Sequence, residues 1–216
     1  MRLFLTIILA IGVCNGSSQA SAQSTVVPIS AQAWLILYSP GMPDHPTAQG
    51  DGWYFDFPSA PGSVHYVLAP VNMAATKSVS ASITVTTAGK PIFEYNIDPS
   101  NTCNASANAR FMLQERADDL SGTNGKQYYR WWSIRGAYEL APGSAILTAS
   151  LTDLSQWLSV FGERADASAA ATAGFRQALA NLGNAGFTFG GGCSYGHGVH
   201  VTGGTAKFAV HQFVVK

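Results

Sequence analysis

The sequence predicts a mostly β protein, an antiparallel sandwich or barrel with one packed α-helix. Two observations point to the strands: short stretches alternate apolar and polar residues along most of the chain, and clusters of Gly, Pro, Ser and Asn punctuate them. A third, one alanine-rich stretch with apolar residues at helical spacing, predicts the helix.

Taken in order, Ser30 to Gly52 carries Pro40, Pro43, Pro46 and Gly50 and reads as a loop, with a short lead-in strand at Ala33 to Tyr38. Strands follow at Trp53 to Phe57 and Ser63 to Val71. The clearest alternation runs from Ser78 to Thr87, where Val79, Ala81, Ile83 and Val85 share one face and Ser80, Ser82, Thr84 and Thr86 the other. Ala88-Gly89-Lys90-Pro91 reads as a turn before a separate strand at Ile92 to Ile97. Further strands are expected at Arg110 to Gln114, Tyr128 to Ile134, Ala145 to Leu151, Phe187 to Phe189 and Thr205 to Val215. Leu151 to Phe161 holds Leu154, Trp157, Leu158 and Phe161, so it is tucked in, either as a helical turn or as an irregular loop. Asp166 to Leu182 is the predicted helix, with Phe175, Leu179 and Leu182 on one face, Asp166 or Ser168 capping its start and Gly183 closing its end.

The N-terminus has its own logic. Arg2, the apolar run Leu3 to Val13 and the small polar run ending in Ala20-Ser21-Ala22 follow the order of a secretory signal peptide. A membrane anchor would need about 20 apolar residues in a row, and this run breaks at Asn15. Cleavage is expected after Ala22, leaving residues 23–216 as a single domain in a secreted or periplasmic setting, with no membrane span in the mature chain. Lipidation at Cys14 is the alternative, with Val13 a poor residue before it. Cys103 and Cys193 then form an even pair, expected to be a disulfide in an oxidising compartment.

Charged residues are 11% of the chain against about 25% in an ordinary soluble domain. Formal charge balances at +0, and no basic cluster suits a phosphate backbone, so no nucleic-acid partner is expected. Surfaces wetted by neutral polar groups suit a neutral ligand.

The Gly-rich stretch Phe189 to His200 lacks the Gly-Lys-Ser/Thr ending of a phosphate loop and runs into a strand pattern, which removes the helix N-terminus an anion needs. His197 and His200 form a His-x-x-His pair, but His45, His65 and His211 offer no third ligand at local spacing, so no metal and no cofactor are expected. Glu94, Asp98, Glu115, Asp118, Asp119, Glu139 and Glu163 could supply a carboxylate pair for glycoside hydrolysis only if the fold joins two of them. No Gly-x-Ser-x-Gly elbow appears.

Tyr128-Tyr129-Arg130-Trp131-Trp132-Ser133-Ile134-Arg135 is the most unusual segment. On a strand, Trp131 and Trp132 face opposite ways. Setting Trp132 and Ile134 inward places Tyr129, Trp131, Ser133 and Arg135 on an outer face, where flat rings beside hydrogen-bonding groups could hold a sugar. The alternative is that the helix or a loop covers that face and makes these aromatics core.

The run of strands, the aromatic strand at Tyr128 to Ile134 and the closing strand Thr205 to Val215 resemble the secreted jelly-roll sandwiches of the galactose-binding-like and carbohydrate-binding-module type. Gly52-Trp53-Tyr54-Phe55-Asp56-Phe57-Pro58 and Phe189-Gly190-Gly191-Gly192-Cys193 are similar to stretches in exported bacterial proteins. The resemblance implies a non-catalytic domain that binds a neutral carbohydrate or polyol on a sheet face or in edge loops, with a polysaccharide or glycan as partner. An exported hydrolase using a carboxylate pair or a His-centred metal, and a structural protein without a small ligand, are the competing classes.

Overall fold

Alternating apolar residues make the strands, and a computed structural model shows how they join; it describes residues 25–27, 29–71, 77–96, 105–192 and 195–216. Residues 1–24, which include the expected signal peptide and Cys14, and also Asp98, Cys103 and Cys193 lie outside the described residues. In chain order the elements are β1 (Thr25–Val26), β2 (Leu35–Leu37), β3 (Thr47–Gln49), β4 (Gly52–Asp56), β5 (Tyr66–Pro70), β6 (Ser78–Tyr95) and β7 (Asn108–Glu115). They continue as β8 (Arg130–Ser133), β9 (Tyr138–Glu139), β10 (Gly143–Ser150), β11 (Trp157–Ser159), α1 (Ala169–Ala180), β12 (Leu182–Gly190) and β13 (Val199–Val215).

One sheet runs β10-β6-β13-β4-β3 with β1 on β13, and the other runs β11-β8-β7-β12-β5-β2 with β9 on β7. All these pairings are antiparallel. From β4 to β7 the chain alternates between sheets, and the late strands return into the gaps, β12 between β5 and β7 and β13 between β4 and β6. That interleaving is the double Greek key of a jelly roll, as the resemblance implies.

Between the sheets the inward residues are aromatic. Phe187 on β12 meets Phe208 and Phe213 of β13, each at 5.4 Å and near-perpendicular, and Trp34 lies 4.8 Å from Trp53. Each such ring removed from water contributes about 1.5–3 kcal/mol, and edge-to-face contacts add to that.

Two expectations need correction. Ala88 to Pro91 is not a turn between two strands, because β6 runs through it. Gly204 pairs with Gly89 and Thr202 with Ile92, so Lys90 and Pro91 together oppose Gly203 in a bulge. A bulge is one of the few places in a sheet that tolerates a proline without an N–H. The helix is also shorter than expected. Ser168 caps it, its Oγ accepting from Ala171 N at 3.0 Å, and Asn181 ends it. Leu182 and Gly183 belong to β12, so Gly183 does not close the helix. Phe175 and Leu179 are buried as expected, joined by Ala171 and Ala178. The segment before the helix is a short 3-10 turn, Leu154–Gln156, followed by β11.

Candidate functional site

Strand phase on β8 decides which aromatics reach the surface. Trp131 pairs across to Leu113 and Trp132 to Met112. Leu113 and Trp131 belong to the main core, whereas Met112 and Trp132 form a second cluster with Leu68. Gly186 pairs with both Leu68 and Met112, so Leu68, Gly186, Met112 and Trp132 make one row on the outward face of the sheet.

The expected face is therefore reversed. Trp131 is 0% exposed; its Nε1 donates to the Tyr128 carbonyl at 2.7 Å and its ring lies edge-on to Phe175 at 5.1 Å. Helix α1 covers it, which is the alternative arrangement considered for that face. Ser133 is also buried, its Oγ accepting from Phe111 N at 3.1 Å in place of a ladder partner. Tyr129 is half-buried and Arg135 exposed, one on each side of β8 rather than on a shared platform. β8 ends at Ser133, so the alternation stops before Ile134 and Arg135 and these two do not report its phase. Arg130, a charged residue two positions from Trp132, was the available signal for the outward face.

Above that row lies a groove of about 770 Å³. Its floor and walls come from Tyr66 on β5, Arg130 and Trp132 on β8, Leu120 and Ser121, the turn Val160-Phe161-Gly162, Asn96, His65, and the turn Tyr195-Gly196-His197. Phe161 is 73% exposed at the rim. Tyr38, 64% exposed, meets the Tyr66 ring edge-on at 6.4 Å. Leu120 and Tyr38 both hold positive φ, 64° and 53°, conformations that non-glycine residues adopt at a cost.

Tyr195 is placed by two contacts. Its ring lies under the Arg110 guanidinium at 4.4 Å and tilts against Trp132 at 6.0 Å. Arg110 is fixed in turn by Asn108 Oδ1 at 2.7 Å and by the Ser133 and Ile134 carbonyls. The turn that carries Tyr195 needs Gly196 and Gly198, at φ of +72° and +84°, because a Cβ at either would strike Tyr66 Oη or His65 Nε2. His65 closes the arrangement. Its Nδ1 lies 2.8 Å from the Gly196 carbonyl, which can only accept, so Nδ1 carries the proton and Nε2, 2.7 Å from Ser63 Oγ, accepts from the hydroxyl. Burial holds the His65 pKa below the usual histidine range, against the opposing pull of the Gly196 carbonyl. Burial likewise pushes the Tyr66 phenol up, keeping it neutral.

Beneath the groove sits a polar chain. Arg130 Nε is 3.1 Å from Asp118 Oδ2, with both side chains at most 5% exposed. Gln114 Nε2 donates to the same oxygen at 2.9 Å, and Asn184 Nδ2 donates to Gln114 Oε1 at 2.8 Å. Among the described residues the buried side-chain polar atoms without a hydrogen-bond partner are Trp132 Nε1, Arg130 Nε, Asp118 Oδ1, Thr188 Oγ1 and Trp53 Nε1. Arg130 Nε is within ion-pair reach of Asp118 but not aligned as a hydrogen bond. All but Trp53 belong to the outward face of this sheet or to the layer just under the groove. A buried unpaired group costs about 1–3 kcal/mol.

The other sequence candidates disperse. His197 lines the groove, while His200, on β13, pairs with Glu94 at 3.2 Å. Asp119 is bound by Ser121 and Lys126, Glu163 by Tyr128 and Ser168, and Glu115 by Gln177. No carboxylate lines the groove among the described residues. The Gly-rich run crosses from β12 to β13 with no helix after it. No helix among the described residues is long and apolar enough to cross a membrane.

No family model and no curated protein sequence matches the chain. Among solved structures a xylan-binding module, CBM15, is similar at 12% sequence identity with a TM-score of 0.41, over 89% of this chain and 99% of that one.

Proposed function

We propose that this is an exported, non-catalytic domain that binds a neutral carbohydrate or polyol in the groove over Trp132. The observation that carries the reading is a groove of about 770 Å³ in which Tyr66, Trp132, Phe161 and Tyr195 stand beside the polar side chains of Asn96, Ser121 and Arg130. Arg130 can only donate, while the Asn96 amide and the Ser121 hydroxyl can donate and accept. A ligand that satisfies this mixture offers hydroxyl groups, which donate and accept, while its C–H faces lie on Tyr66, Trp132, Tyr195 and Phe161. A phosphate or other anion would satisfy the donors alone.

Export is supported by the order of charge, apolar run and small residues before Ala22. The test is affinity electrophoresis against a panel of neutral polysaccharides, with product analysis on the same samples. Retardation without soluble product is expected, nearly unchanged between low and high salt because few of the contacts are between charges. Lack of retardation on every glycan, or release of product, would overturn the reading.

A further inference from the structure

We infer that Asp118 makes the groove selective for uncharged over acidic sugars by neutralising the guanidinium that lines it. The inference rests on the carbohydrate reading and adds a determinant of which carbohydrate is taken. Among the described residues Arg130 is the lysine or arginine of the groove lining. A free guanidinium in a half-enclosed groove is a fork for a carboxylate, the group that distinguishes a uronic acid from its parent sugar.

Here the guanidinium already has a buried counter-ion. Asp118 Oδ2 lies 3.1 Å from Arg130 Nε, and the Asp118 side chain is 0% exposed. The carboxylate is held there by Gln114, itself held by Asn184. These are neutral amides with no other ionic partner between them, so their arrangement fixes the position of the negative charge without cancelling it. Asp118 Oδ1 is left without a partner, a buried acceptor beside the groove. An incoming carboxylate would meet a second anion on the same cation, in a place that salt screens poorly. An incoming hydroxyl meets no such repulsion.

The experiment compares glucan, mannan and galactan oligomers, each in its neutral form and oxidised to the uronate at C6, by titration calorimetry. The natural chain is expected to bind the best neutral oligomer at least about tenfold more tightly than its uronate. Asp118→Asn, nearly isosteric, frees Arg130 and is expected to raise uronate affinity by about tenfold or more. Asp118→Asn combined with Arg130→Gln should lose that gain. Arg130→Gln alone, with the carboxylate kept, should push the uronate further below the neutral form, and it tests the idea even if Asp118→Asn fails to fold. An equal affinity of the natural chain for both forms, or an unchanged ratio in the folded variants, would overturn the inference while leaving carbohydrate binding in place. A natural chain that binds none of the oligomers would remove the carbohydrate reading, and this inference with it.

Discussion

Trp131 and Trp132 are neighbours in sequence and face opposite sides of one sheet, Trp131 edge-on to Phe175 in the interior and Trp132 tilted against Tyr195 over the outer face. One indole therefore serves the core and the other the groove, and substitutions at the two positions should separate stability from binding.

Trp131→Ala should cost about 3–5 kcal/mol, because it opens a cavity between the sheet and α1. Trp132→Phe keeps a ring against Met112 and Leu68 and removes Nε1, so stability should change by less than about 1.5 kcal/mol. Glycan binding by that variant should weaken, because the smaller ring offers less face to a sugar. Urea denaturation and affinity electrophoresis on the same preparations check both. Loss of stability at Trp132 comparable to that at Trp131 would show that the outer cluster is structural.

The fold was legible because the period-2 pattern depends on burial, and burial is shared along a whole strand. Val79, Ala81, Ile83 and Val85 are all inward as the alternation requires. The site was less legible because a four-residue strand gives too few positions to set its phase, and Ile134 and Arg135 lie past its end. Tyr66 and Leu68 alternate with Val67 and Ala69 on β5, apolar on both faces. That two-sided pattern was a visible sign that the outer face is covered as well. Tyr195 and Phe161 reach the groove from turns, where no periodicity announces them.

Helix α1 is held by the buried face that carries Phe175 and by its Ser168 cap, and the loss of either should be measurable. Phe175 lies 5.1 Å from Trp131 and 5.6 Å from Trp157, so Phe175→Ala should cost about 3–5 kcal/mol. Ser168 caps the helix and also donates to Glu163 Oε1 at 2.7 Å, so Ser168→Ala should cost about 0.5–2 kcal/mol. Equilibrium unfolding in urea reads both. A neutral Phe175→Ala would mean that the helix is dispensable to the sandwich.

A bond between Cys103 and Cys193 is expected from their flanks. A Cβ placed on Gly192 would lie 2.4 Å from Ala105 Cβ, and Tyr95 Oη donates to the Ala105 carbonyl at 2.8 Å, so the chain next to each cysteine abuts the chain next to the other. Each cysteine is within two residues of that contact, a reach of about 7 Å of extended chain. Peptide mapping without reduction should find the two segments linked, and reduction should cost about 2–5 kcal/mol. Two freely alkylated thiols in protein taken from the exported fraction would rule the bridge out.

His65 gives the fold a pH dependence of defined sign. Its folded pKa is depressed by burial, so the unfolded chain, titrating near about 6.5, takes up the proton first as pH falls. The stabilisation is thus present above about pH 6.5 and is lost as pH falls through the folded value. The carboxylates Asp153 and Glu163 are also depressed, but theirs is lost only below the ordinary carboxylate range, near about pH 4. The interval between about pH 7 and pH 5 therefore isolates histidine. Protonation also puts a hydrogen on Nε2, which now accepts from Ser63, and loosens the support of the Gly196 turn that carries Tyr195. Thermal unfolding and glycan retention should both decline from pH 7 to pH 5, and His65→Gln should flatten both profiles in that interval. If His65→Gln leaves the slope as it is, the dependence arises elsewhere and His65 is only a fixed strut.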